Sequence, residues 1–167
     1  MLDLITALAL AFLAGFVVKV VDWIDDERGG RHLSKWLLAM IYGVMLGFLI
    51  SRASFSTIFL GALFAQVFAG KIDTHAHVLG FVVAAISLFA FGFPDVDTTL
   101  FLFFAMLAFI DEVEFGGWLG WLTKHRMFLK VGSLAALFMG RYDYFLGIMA
   151  FDLGYTLFDW IAQRYFR

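Results

Sequence analysis

The sequence predicts an all-α integral membrane bundle of about seven transmembrane helices, and three observations carry that prediction. The 167 residues are 63% hydrophobic and 16% charged, with mean hydropathy +0.90; a soluble domain is about 45–50% apolar and about 25% charged. The apolar residues fall into runs that approach the roughly 20 a helix needs to cross a bilayer. The acidic residues, the five tryptophans and most lysines and arginines gather at every second junction between those runs. The length suits a single transmembrane helical domain over 1–167, with no room for a second, soluble one.

The segments follow in order. Residues 2–23 carry only Asp3, Lys19 and Asp22 as charges. They lack a basic leader and run into a charged cluster, so they are expected to be a retained helix rather than a signal peptide. Residues 35–51 carry Gly43 and Gly47, a spacing that lets helices approach closely and predicts a homo-oligomer through that face. Residues 55–70 are short for a span. Residues 76–93 end before Pro94-Asp95-Val96-Asp97, which reads as a turn and a helix N-cap. Residues 97–113 follow, then 127–140, the shortest segment, and 143–163. Between the fifth and sixth, residues 115–130 hold Gly116, Gly117, Gly120, Trp118 and Trp121 before Lys124-His125-Arg126, as an amphipathic turn lying on the membrane would.

Threading these segments back and forth puts Arg28, Arg31, Lys35, Lys71, Lys124, Arg126, Arg164 and Arg167 on one side and only Arg52 and Arg141 on the other. Basic loops favour the cytosol. The expected topology is therefore multi-pass in the plasma (inner) membrane, with the N-terminus outside and the C-terminus cytosolic. Trp23, Trp36, Trp118, Trp121 and Trp160 all fall on the cytosolic side, at the headgroup level that tryptophan prefers.

Four charged clusters remain for function. Asp22, Asp25 and Asp26 share a helical face with Lys19. Asp25, Asp26 and Glu27 also suit a solvated helix end. Asp73, His75 and His77 would point one way in an extended loop, while His77 also suits the opening of a helix. Asp111, Glu112 and Glu114 close the fifth segment, where carboxylates oppose the helix dipole and call for a cation among Lys124, His125, Arg126 and Lys130. Asp152 and Asp159 share a face of the last segment with Tyr155. A charge as deep as Asp152 costs about 2.5–3.5 kcal/mol even on gentle insertion scales, so it must face the bundle and find a partner, with Lys19 or Lys130 as candidates.

No cysteine is present, which excludes disulfides and thiolate chemistry. A net charge of −2 offers nothing to nucleic acid. Asp22-Trp23-Ile24-Asp25-Asp26 loosely resembles the aspartate-rich diphosphate motif of UbiA-type prenyltransferases, but the second DxxxD motif is absent.

The leading expectation is an enzyme acting on a membrane lipid phosphate or diphosphate. Asp22, Asp26, Asp73 and Asp111 would hold a divalent cation, with magnesium the natural choice. Lys19, Lys71, Lys124, Arg126 and Lys130 would neutralise the phosphate. His75, His77 and Asp152 would supply acid–base chemistry. The alternative is a cation- or proton-coupled transporter or channel built around Asp152, and a third is a scaffold for a partner helix.

Overall fold

The computed structural model describes residues 2–27 and 32–165, and they are helical with no strand among them. The elements are α1 (Leu4–Glu27), α2 (Ser34–Arg52), α3 (Ser56–Phe68), α4 (His75–Phe91), α5 (Thr98–Glu112), α6 (Gly117–Lys124), α7 (Met127–Ala135) continued by a 3-10 turn (Ala136–Met139), and α8 (Tyr142–Tyr165). Arg28, Arg31 and Arg167, which entered the expected orientation, lie outside the described residues. Three helices, α1, α2 and α8, are long and apolar enough to cross a membrane.

Local chemistry sets the boundaries. Thr74 caps α4 by accepting the His77 amide at 3.3 Å, and Asp97 caps α5 by accepting the Leu100 amide at 3.0 Å. Each side-chain oxygen satisfies a donor that has no partner within its own helix. At the other end of α4, Gly92 at φ 94° takes a conformation that L side chains rarely adopt, and Pro94 follows. Two expectations are refined. The membrane-surface turn contains a helix of its own, α6, with Trp118 and Trp121 exposed. The segment 127–140 tightens into 3-10 geometry after Ala135.

The helices pack in three close pairs: α1 with α8, α2 with α4, and α3 with α5. Glycine makes each approach possible. A Cβ on Gly15 would lie 2.1 Å from the Phe151 carbonyl oxygen, and one on Gly154 would lie 1.9 Å from that of Phe12. Gly61 lies against the backbone of α5 in the same way. The Gly43/Gly47 row is used within the chain: a Cβ on either would sit 2.5 Å from a carbonyl oxygen of α4, at Gly80 or Ala84. The close approach that the spacing predicts is thus made within the chain, against α4.

Phe55, Phe104 and Tyr144 are fully buried with Leu49, Ile50 and Ile58, while Ile86, Phe89, Leu102, Met106 and Leu153 are exposed. A bundle apolar both inside and out suits a lipid surround. The junctions gather alternately at the two ends. At one end Asp25 pairs with Lys35, Asp22 with His77, Lys71 with Glu114 and Arg126 with Glu112. At the other, the Leu2 amide donates to Arg52, the Ser51 hydroxyl to Gly92, and Arg141 to Ser54.

Candidate functional site

At the first end three cavities adjoin. An open vestibule of about 430 Å³ is lined by Lys71, Asp111, Glu112, Glu114, Lys124 and Arg126 among others. It shares Lys71, Glu112 and Arg126 with a chamber of about 170 Å³, whose wall includes Asp22, Tyr42, Gln66, His77 and Tyr155. The chamber in turn shares Leu46, Leu63, Gln66, Arg126 and Phe151 with an apolar cleft of about 60 Å³ that reaches Ile50, Phe59, Lys130, Ile148 and Asp152. Arg126 lines all three.

Asp22 anchors the chamber. One carboxylate oxygen is 2.7 Å from His77 Nε2, and the other accepts the Tyr155 hydroxyl at 2.7 Å. His77 Nδ1 is 3.0 Å from the Tyr42 hydroxyl. α1, α2, α4 and α8 thus converge on one imidazole and one carboxylate. The contacts fix the imidazole through both nitrogens, and Tyr42, which itself lines the chamber, extends its reach. Lys19, 3.3 Å from Asp159 and 3.5 Å from the Tyr155 hydroxyl, closes the network toward the surface.

Arg126 is held differently. Its backbone is left-handed (φ 51°, ψ 43°), the only positive φ outside glycine among the described residues, at a cost of about 1–2 kcal/mol. Asp111 stabilises the turn, its two oxygens accepting the Phe128 amide at 3.1 Å and the Leu129 amide at 2.7 Å. The guanidinium lies 5.7 Å from the centre of the Tyr155 ring and 3.6 Å from Glu112.

No family model, no curated protein and no solved structure matches this chain.

The sequence-selected residues separate clearly. Lys71, Lys124, Arg126 and Asp111 meet in the vestibule; Asp22 and His77 line the chamber, and Lys130 and Asp152 the cleft. Lys130 Nζ is 2.8 Å from Asp152, while Lys19 serves Asp159. Asp26, Asp73 and His75 are exposed and line none of these cavities. The four carboxylates expected to share a cation are not assembled: among the described residues no three His, Asp or Glu side chains form a metal-binding group. Asp22 is engaged by His77 and Tyr155, and Asp111 by the amides of α7. Nor do Asp73, His75 and His77 point one way along an extended loop. The helix starts at His75, so residues two apart face nearly opposite ways.

Tyr42 and Gln66 also line the chamber. Neither belongs to a charged cluster, and each reaches the chamber only through helix packing. Tyr155 had a signal, its place beside Asp152 and Asp159. Glu112 was grouped with its neighbours, although its pairing with Arg126 sets it apart.

Proposed function

We propose that this chain is a multi-pass enzyme of the plasma (inner) membrane that acts on a lipid-borne phosphate or diphosphate. The single observation that carries this reading is the polar chamber opening directly into an apolar cleft, with Arg126 and Gln66 in both walls. An amphiphile divides its two halves in that way. Arg126 and Lys71 meet the anionic headgroup; Phe59, Leu63 and Phe151 meet the first part of the chain. His77, oriented by Asp22, exchanges a proton with substrate through Tyr42. A magnesium ion arriving with a diphosphate needs only one or two protein carboxylates, and Asp22 is the expected ligand that faces the chamber.

The seven apolar helices cross the bilayer with the chamber end in the cytosol, in this reading. Support comes from the gathering of alternate junctions at opposite ends and from the exposed Trp118, Trp121 and Trp160 at the basic end. α3, with 13 residues, is only about 20 Å long, against a hydrocarbon core of about 30 Å. Its C-terminal end lies near the chamber, where non-helical backbone is tolerated because it lines a polar cavity.

The test is phosphate release from a polyprenyl diphosphate by purified protein, with and without EDTA. His77→Ala is expected to lower the rate by roughly 10²–10⁴-fold, and EDTA to abolish it. Release that withstands EDTA removes the cation from the mechanism. No release and no binding by folded wild-type protein rejects the enzyme.

One observation favours a second reading, proton- or cation-coupled transport: the Lys130–Asp152 pair sits in the apolar cleft, beyond the chamber. Flux into liposomes that Asp152→Asn abolishes, without phosphate release by wild type, selects transport.

A further inference from the structure

The cations of the chamber mouth are already occupied, and by one short segment. Glu114 holds Lys71 at 3.1 Å, and Glu112 faces Arg126 at 3.6 Å. The two contacts differ in kind. The Glu114 side chain is 90% exposed, and water screens such a pair. The Glu112 side chain is 15% exposed, shielded from solvent within the walls of chamber and vestibule. At 3.6 Å its pair with Arg126 is an ion pair without a hydrogen bond, and no hydrogen bond to the Arg126 guanidinium is present among the described residues. The five N–H donors of an arginine suit a bidentate oxyanion, and here they are unspent. The Arg126 backbone is meanwhile fixed in a left-handed turn by the two Asp111 contacts, so the side chain is presented rather than free to leave. The Arg126 side chain, 35% exposed, lines the open vestibule as well as the cleft, and Glu112 is the acid paired with it while the site is empty.

We propose that Glu112 is a built-in competitor for Arg126: it neutralises the guanidinium in the empty site and is displaced by an incoming anionic headgroup, so that entry requires a ligand of stronger charge than a carboxylate. This inference rests on the phosphate-lipid reading above and adds the residue that sets its specificity. Glu112 is a specificity-determining residue acting through Arg126, and no bond is made or broken in the exchange.

The experiment is equilibrium binding of farnesyl diphosphate and of farnesol, its uncharged counterpart, to purified protein. Glu112→Gln is expected to bind the diphosphate about three- to tenfold more tightly and farnesol unchanged. Glu114→Gln, whose pair with Lys71 is screened by water, tightens the diphosphate less than Glu112→Gln does and leaves farnesol unchanged. Arg126→Gln loses the preference for the diphosphate by about tenfold or more. Glu112→Asp, which draws the carboxylate back by one methylene, gives the same direction with smaller amplitude, and it serves if the glutamine variant does not fold. A wild type that prefers the diphosphate through Arg126, with equal or weaker binding by both Glu112 variants, overturns the competitor and leaves the functional reading standing. A wild type with no preference for the diphosphate, or one that Arg126→Gln does not alter, overturns the functional reading and the competitor with it.

Discussion

Tyr155→Phe removes the hydroxyl that Asp22 accepts at 2.7 Å while keeping the ring beneath Arg126. Because the lost bond is to a carboxylate, unfolding stability in detergent is expected to fall by about 1.5–3 kcal/mol, read as a lower melting temperature. Asp111 offers a second residue-scale comparison. Asp111→Ala leaves the Phe128 and Leu129 amides without partners and should cost about 2 kcal/mol or somewhat more. Asp111→Asn keeps one acceptor oxygen, though its NH2 faces the other backbone N–H, and should cost less than Asp111→Ala; a larger loss for Asp111→Asn than for Asp111→Ala in thermal melts would refute the cap. These positions also show what a sequence can reveal at this scale. Asp111 looked misplaced because it ends α5, where the dipole opposes a carboxylate. It is stabilising because it also begins α7, whose amides it accepts, and that second relation depends on a turn invisible in one dimension. Tyr42 carried no signal at all, since only the packing of α2 on α4 brings it to His77.

For the helices the deciding atoms are the missing ones. Gly154→Ala would place a methyl group 1.9 Å from a backbone oxygen of α1, and backbone cannot swing aside as a flexible side chain can. The α1–α8 pair must then separate, at a cost of about 1–3 kcal/mol. Gly116→Ala is the comparison, with nothing within 4 Å of the new carbon and an ordinary φ of −86°; as the N-cap of α6 it should lose only about 0.5–1 kcal/mol. Comparable melting temperatures for the two variants would show that α1 and α8 do not depend on this contact. Helix positions were legible from the sequence because apolar runs and their polar punctuation are local. The Gly43/Gly47 spacing was legible as a close-approach surface, yet its partner was not. A small-residue row reads the same whether it meets another copy or, as here, the neighbouring α4.

Across the whole molecule the alternation of charged and plain junctions was the legible part, and the two polar ends of the bundle follow it. The assembly of the chamber was not legible, because it joins residues 22, 42, 77, 126 and 155 from helices distant in sequence. The topology can be measured directly, since the chain contains no cysteine. Single replacements Asp73→Cys and Trp118→Cys are expected to label from one face of a proteoliposome, and Arg52→Cys and Asp95→Cys from the opposite face. Labelling of all four from one face would refute the membrane threading. The acids of α8 carry a last consequence. Asp143, Asp152 and Asp159 stand at three heights and are matched by Arg141, Lys130 and Lys19, the last two from other helices. Lys19 lies in the first helix, and the acid that forms its ion pair is 140 residues further along the chain. α8 therefore cannot slide or turn in place without parting charges from α1 and from α7 together.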